Sequence, residues 1–224
     1  MATKAVAKAE AAVPDLVRPR GAALDITPED IALPRVYIAQ YSSKAFKKEL
    51  VSKGSIYLAN GPDDPEPDVL WEYNVEGDGG VLMHVIGLER RKSYSDQDTE
   101  LTSWDFDDPD AHPKAWTTYN YTVCLPEVPD GDRVPAKFLL TKSGRNTARS
   151  INTEILANEA RGPAYCLAFR IHTAARSNTK GDYWVAMVRR EEADESNIDM
   201  AQNLAVQMSG ASADVGATNE DPEI

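Results

Sequence analysis

The sequence predicts a mainly β fold, and three observations support that class. Seven short runs combine apolar residues with β-branched or aromatic residues, and turn residues separate most of them. One stretch with helical periodicity lies between the fifth and sixth runs. From residue 81 onward the order is strand, strand, strand, helix, strand, strand. This order predicts an OB-like five-stranded barrel with a helix between strands three and four, preceded by an N-terminal strand extension.

The strands are predicted from alternating apolar and polar positions. The first two runs form the N-terminal extension and the other five form the barrel. In chain order, the predicted strands cover residues 34–40, 54–58, 81–91, 117–125, 135–142, 164–173 and 182–190. A Pro-Asp-Gly turn at 129–131 separates two of them, and the polar stretch 174–181 joins the last two as a hairpin.

Two helices are predicted from apolar residues at helical spacing. The first begins at Ser143, which can act as the N-cap, and runs to about residue 159 with Ala148 and Ile151 on its buried face. The second is a C-terminal amphipathic helix over residues 191–209, with acidic residues near its start. We expect it to dock on the body or on a second subunit.

Length and composition indicate one domain between two tails. The 224 residues are 42% hydrophobic, which is enough for one substantial core. The predicted organisation is a flexible arm (1–24), an OB-like domain with its extension (25–190), the amphipathic helix (191–209) and an acidic disordered tail (210–224). The two cysteines lie in apolar runs, and no signal peptide or membrane span is predicted. We therefore expect a cytoplasmic protein with reduced thiols.

Charge is distributed unevenly along the chain. The formal net charge is −12, yet residues 111–190 carry twelve basic against six acidic residues. Residues 191–224 contain nine acidic residues and no lysine or arginine. A basic patch over residues 111–190 followed by an acidic tail is typical of a protein that binds a polyanion and carries its own competitor. A tail that only maintains solubility explains the pattern equally well.

Single-stranded nucleic acid is bound by cations that contact phosphates and by rings on which bases stack. The predicted contacts lie on the strands, in the helix and in the 174–181 loop, because OB proteins bind oligonucleotides with strands two and three and with such loops. The candidate cations are Arg35, Lys44, Lys47, Lys48, Lys142, Arg145, Arg149, Arg170, Arg176 and Lys180, and the candidate rings are Tyr37, Tyr119, Tyr121, Tyr183 and Trp184.

Two alternatives stay open for these candidates. Aromatic residues at alternate strand positions are often core residues, so the sequence does not tell which strand face is exposed. Arg170 is the strongest single candidate. It lies in mid-strand on the face opposite Phe169 and Ile171, and it must meet solvent, a carboxylate or a ligand.

The acidic loop over residues 93–116 opposes a simple version of this prediction. It carries seven acidic residues and one lysine. The resulting negative charge of the loop would repel phosphate. Either the loop turns away, or it recruits a basic partner, or the OB assignment is wrong. Its aspartates lack the glycine and later glutamate of a calcium loop, so no metal is predicted. No catalytic or phosphate-loop motif is present, and we predict neither an enzyme nor a cofactor.

Three segments carry a resemblance to a known group of proteins: residues 25–40 (DITPEDIALPRVYIAQ), 138–155 and 165–188. Within them, Pro34, Arg35 and Gln40 mark one strand, and Asn178, Gly181, Tyr183 and Trp184 mark a turn and the start of another. These segments resemble bacteriophage single-stranded DNA-binding, replication-associated proteins. The resemblance implies an OB fold, sequence-tolerant binding of single-stranded DNA, and an acidic tail that contacts replication proteins. The tip at 221–224 lacks the terminal phenylalanine of such tails.

The resulting prediction is a non-enzymatic single-stranded DNA-binding protein of phage replication or recombination. It would act in the host cytoplasm without a membrane, as a monomer or a homodimer, with DNA and replication proteins as partners. The alternative is a virion or other structural assembly component whose terminal arms bind neighbouring subunits.

Overall fold

The computed structural model describes residues 33–73, 79–95, 102–128, 135–179 and 181–213, with side chains as far as residue 208. The protein is mainly β, with 42% strand and 26% helix, and its sheet curls into a half-barrel. The predicted arm 1–24 and residues 214–224 of the predicted tail lie outside the described residues. No helix in the described part of the chain is long and apolar enough to cross a membrane.

The described elements follow one another along the chain. The strands are β1 (Arg35–Ile38), β2 (Ile56–Ala59), β3 (Asp68–Trp71), β4 (Val81–Tyr94), β5 (Thr102–Asp105), β6 (Trp116–Cys124), β7 (Ala136–Leu140), β8 (Ala168–Asn178) and β9 (Gly181–Glu191). The α-helices are α1 (Lys44–Lys47), α2 (Arg145–Asn158) and α3 (Glu195–Ala213). Short 3-10 helices lie at Lys142–Gly144, Glu159–Arg161 and Ala164–Cys166.

The strands form one sheet in the order β3-β2-β1-β7-β6-β4-β8-β9, with β5 paired to β4. The pairing of β1 with β7 is parallel, and the other pairings are antiparallel. All seven predicted strands are present, but β3 and β5 were not predicted. The described residues therefore hold nine strands rather than the five of the predicted barrel, and β1 pairs with β7 in this larger sheet.

The core lies on the inner face of the curled sheet. Met83, Tyr121, Phe138 and Phe169 are almost fully buried there, and α2 adds Ile151. Burying one such large apolar side chain stabilises a fold by about 1.5–3 kcal/mol, so this shared face holds the strands and α2 together. The opposite face of the sheet, which we call the outer face, is left to polar residues along much of β4, β6 and β7.

The helices start and end differently from the prediction. Helix α2 begins at Arg145 with Gly144 at its N-cap position, so the predicted cap at Ser143 is wrong, and Ser143 lies in a 3-10 turn. Helix α3 begins at Glu195, four residues later than predicted. Asp194, which immediately precedes it, accepts a hydrogen bond from the Ser196 N–H at 2.8 Å. The helix continues to Ala213, through the first residues of the predicted tail, and packs against β4 and β6.

Candidate nucleic-acid interface

A groove of about 1000 Å³ crosses the outer face of β1, β7, β6 and β4. Five strands contribute to it, since Ser103 of β5 also lines it, and Met208 of α3 borders it. Its lining includes the polar and charged residues Arg35, Glu89, Arg91, Thr118, Asn120 and Lys137 and the rings of Tyr37 and Trp116. The groove is therefore the place where the sheet brings cations and aromatic rings together.

The alternation of strand residues decides which side chains reach this groove. On β6, Trp116, Thr118 and Asn120 face outward, while Tyr121 and Val123 are buried in the core. On β7, Lys137 and Leu139 line the groove between the buried residues of the same strand. Strand β4 continues the pattern, because its groove residues pair in register with those of β6.

The structure removes Tyr119 and Tyr121 from the candidate rings. Tyr121 is fully buried, its hydroxyl donates to Asn152 Oδ1 at 2.9 Å, and desolvation by burial raises its pKa. Tyr119 packs against the core on the same face. The predicted strand is correct, but the face predicted for the bases is the core face. Alternation alone cannot reveal this, because a phase error of one residue exchanges the two faces.

Arg91 and Lys137 act on the Glu89 carboxylate in the groove, and Arg35 lies beside Lys137 on the neighbouring strand. Lys137 belongs to β7, the strand between β6 and β1. Its Nζ donates a hydrogen bond to Thr122 Oγ1 at 2.8 Å. Burial lowers the pKa of Lys137, and the charges of Arg35 and Arg91 lower it further, whereas Glu89 raises it. Arg91 is paired with Glu89, so the positive charge available to an anionic ligand lies toward β1, where Arg35 is in register with Lys137.

Two rings of the groove are in contact with neighbouring side chains. Tyr37 stacks on Tyr57 with ring centroids 5.3 Å apart and an interplanar angle of 18°. Lys142 places its Nζ 3.6 Å from the centroid of the Trp116 ring. The Trp116 indole N–H is buried and has no hydrogen-bond partner among the described residues. Of the predicted candidates, Arg35 and Tyr37 therefore line this groove, and Lys142 lies beside it against the Trp116 ring.

Other predicted cations lie elsewhere. Arg149 lines a separate cleft of about 320 Å³ between α2 and β9, and Arg145 is exposed on the same helix. Lys44 of α1 pairs with Asp63 at 2.6 Å, and Lys47 and Lys48 are exposed nearby. None of these five lines the groove.

The hairpin of β8 and β9 differs from the predicted loop. The strands extend to Asn178 and Gly181, which pair with each other, so the predicted turn 174–181 is mostly strand. Arg176 and Tyr183 face each other across this hairpin. Lys180 lies outside the described residues.

Arg170 meets carboxylates. Its guanidinium donates to Glu127 Oε2 at 2.8 Å, to Glu191 Oε2 at 3.0 Å and to the Gly80 carbonyl at 3.1 Å. The hydrogen bond from Arg170 lowers the pKa of Glu191, and the Arg170 side chain is 17% exposed. Of the three alternatives left by the sequence, the carboxylate is realised, and Arg170 fixes β8 to its surroundings within the fold.

Trp184 is buried as well. It is 5% exposed, and its ring lies edge-on to Tyr41 and Tyr73 at centroid distances of 5.3 and 6.2 Å. The Gln40 side chain forms hydrogen bonds with both the N–H and the carbonyl of Trp184. The ring cannot accept a base without unpacking this cluster, so Trp184 is corrected from a binding residue to a packing residue.

Among the described residues of the acidic stretch, no aspartate lines the groove. Asp105 of β5 lies opposite Arg91 in register, while the Phe106 ring lies 4.2 Å from the Arg90 guanidinium and 4.7 Å from Lys92 Nζ. These contacts anchor the described part of the stretch to β4. Among the described residues, no group of three or more His, Cys, Asp or Glu side chains could hold a metal ion.

Lys137, Arg91, Trp116 and Asn120 were not predicted as site residues. A signal for them was present in the sequence, since Trp116, Thr118 and Asn120 alternate with the tyrosines of the same strand. Lys137 interrupts an apolar run at one position. Recognising them requires knowing which face of β6 is covered by α2.

Comparisons with protein-family models, with curated proteins and with solved structures found no match for this chain.

Proposed function

We propose that the protein binds single-stranded DNA in the groove on its outer face. The observation that carries the proposal is the combination of Arg35, Arg91 and Lys137 with the rings of Tyr37 and Trp116 in one groove. Cations neutralise phosphates, and each base stacked on an aromatic ring contributes about 1–3 kcal/mol. A duplex hides the faces of its bases inside the stack, so this combination favours single strands.

The strand pairings support an OB-like arrangement. An OB barrel pairs its first strand with the second and fourth, the second with the third and the fourth with the fifth, and it carries a helix after the third. The strands β4, β6, β7, β8 and β9 make these pairings, and α2 lies between β7 and β8. The groove then covers strands two and three, the face that OB proteins use for oligonucleotides.

The same proposal includes the role suggested by the family resemblance. We infer binding with broad sequence tolerance in phage DNA replication or recombination. The acidic residues after Ala213 would compete with DNA for the groove and contact replication proteins. Met208 borders the groove, so the chain passes beside it before those acidic residues begin.

A titration with labelled DNA tests the proposal. Fluorescence anisotropy compares a mixed-sequence single strand with a duplex of equal length at about 50 and 200 mM salt. We expect tighter binding of the single strand, with log affinity falling by about 0.7 per neutralised phosphate per log unit of salt. An absent response would contradict the proposal and favour the structural assembly component.

Two arginine variants locate the site. We expect Arg35→Ala to weaken binding and to reduce the salt slope by about 0.7, the contribution of one phosphate. Arg149→Ala is the matched control, because Arg149 is also an exposed arginine but lines the cleft between α2 and β9. Equal losses in both variants would show that binding depends on overall charge and would remove the groove as the site.

A further inference from the structure

Glu89 is the one carboxylate among the described residues that line the groove. Its Oε1 accepts a hydrogen bond from Arg91 Nε at 2.6 Å, and its Oε2 accepts one from Asn120 Nδ2 at 3.1 Å. Burial raises the pKa of Glu89, but the hydrogen bonds from Arg91 and Asn120 and the charge of Lys137 bring it below its ordinary value. Glu89 is therefore ionised at neutral pH and held in a fixed orientation.

A fixed negative charge determines which part of a nucleotide can lie against it. Phosphate is repelled by Glu89, so the DNA backbone must run along other parts of the groove. Arg35 of β1 is exposed and lies three strand spacings from β4, roughly 14 Å away. With the phosphates at Arg35, the surface around Glu89 is left to the bases.

The bases differ in what they offer to a carboxylate. Cytosine and adenine carry an exocyclic amino group that donates hydrogen bonds, beside a ring nitrogen that accepts them. Thymine presents a carbonyl oxygen at the position of the amino group, which the carboxylate repels, and its ring N–H is the one donor left beside that oxygen. At Glu89 the acceptor is the carboxylate, and the neighbouring groups of Arg91 and Asn120 are N–H donors. This arrangement complements an amino-bearing base.

We propose that Glu89, oriented by Arg91 and Asn120, accepts a hydrogen bond from the amino group of cytosine or adenine. The groove then binds single strands rich in these bases more tightly than oligo-thymidine. The inference rests on the proposed function of the groove and adds a base preference to it. Contacts to phosphates and stacking on rings still allow every sequence to bind, so the preference is one of degree.

Competition between homopolymers measures this preference directly. Labelled mixed-sequence strand is displaced from the protein by unlabelled oligo-dC or oligo-dT of equal length. We expect oligo-dC to compete about ten-fold better, the effect of one good base contact. Glu89→Gln should reduce the ratio to near one, because a neutral carboxamide can donate to the thymine carbonyl as well as accept from cytosine.

Glu154→Gln is the matched control. Glu154 pairs with Arg190 as Glu89 pairs with Arg91, and the two glutamate side chains are 42% and 43% exposed. Glu154 lies in the cleft of α2 and β9, so its variant should keep the full preference for oligo-dC over oligo-dT.

An oligonucleotide of N4,N4-dimethylcytosine, which lacks the amino hydrogens, should bind the unmodified protein as weakly as oligo-dT does. This measurement needs no variant and is independent of folding effects.

The outcomes separate the two proposals. Binding of the mixed-sequence strand with equal affinity for oligo-dC and oligo-dT overturns the role of Glu89 and leaves the groove as the DNA site. A preference that survives in Glu89→Gln or with dimethylcytosine also overturns it. Absence of binding to any single strand overturns both the base preference and the proposed function.

Discussion

At the scale of single residues, Gly54 shows how closely the N-terminal strands contact the rest of the sheet. Its φ is +77°, and a Cβ added there would lie 2.6 Å from the Trp184 ring and 2.9 Å from Tyr73 Cβ. The Gly54 carbonyl also accepts a hydrogen bond from the Thr173 hydroxyl at 2.6 Å. The position therefore requires glycine both for its backbone conformation and for the space beside the indole.

We expect Gly54→Ala to lower the free energy of unfolding by about 1–3 kcal/mol, from left-handed strain together with overpacking against Trp184. Urea denaturation followed by far-UV circular dichroism measures the change. Gly61→Ala is the control, because a Cβ at Gly61 meets no atom within 4 Å. Its stability should stay within about 0.5 kcal/mol of the unmodified protein. Equal stability of the two variants would contradict the packing role of Gly54.

At the scale of elements, one side chain joins β1 to the edge of β9. Gln40 Nε2 donates to the Trp184 carbonyl at 2.7 Å, and Gln40 Oε1 accepts from the Trp184 N–H at 2.9 Å. No further strand pairs with β9 beyond β8 among the described residues. The carboxamide thus replaces one rung of strand pairing, and the Thr147 hydroxyl bonds the Ala186 carbonyl along the same edge. These side chains occupy three backbone groups of the β9 edge, which reduces the number left for pairing with another strand.

Removing this carboxamide should loosen the junction of β1 and β9. We expect Gln40→Ala to lower the free energy of unfolding by about 1–3 kcal/mol, because it leaves two backbone groups of Trp184 without partners. Hydrogen exchange of the Trp184 amide, followed by NMR, should become faster than in the unmodified protein. Gln202→Ala, at an exposed position of α3, should change neither quantity. Unchanged exchange at Trp184 in the Gln40 variant would show that the edge is protected by other contacts.

The elements also show what the sequence predicts well and what it does not. Apolar periodicity located seven strands and both long helices, since each of those segments lies in a run of apolar residues with strand or helical spacing. Strand β3 (DVLW) has three consecutive apolar residues after one polar residue, and strand β5 (TSWD) has a single apolar residue, so neither alternates between apolar and polar positions. Their existence depends on pairing with β2 and β4, which is a non-local property.

The candidate site was predicted only in part for the same reason. Arg35, Tyr37 and Lys142 were identified because cations and rings are the expected chemistry, whereas Tyr121 and Trp184 have that chemistry but are buried. The fate of Arg170 depends on Glu127 and Glu191, which are distant in sequence and meet it only in the folded sheet. Residue type predicts what a side chain can bind, and the strand face decides whether it is accessible.

At the scale of the whole molecule, the C-terminal segment is acidic while the groove contains basic residues. Residues 214–224 contain Asp214, Glu220, Asp221 and Glu223 and no basic residue. The preceding helix passes the groove at Met208 and reaches Ala213 five residues later. We expect a negatively charged segment that follows this helix to have a raised effective concentration near the groove. Competition with DNA is then expected to be electrostatic and sensitive to salt.

Deleting residues 214–224 should therefore tighten binding of single-stranded DNA at about 50 mM salt and change it little at about 200 mM, where the attraction is screened. Anisotropy titrations of both proteins at the two salt concentrations measure the difference. A full-length variant with the four acidic residues changed to Asn or Gln separates charge from bulk. It should bind like the deletion variant if charge is the cause. Tightening in the deletion variant alone would point to steric blocking, and unchanged affinity in both variants would remove competition by this segment.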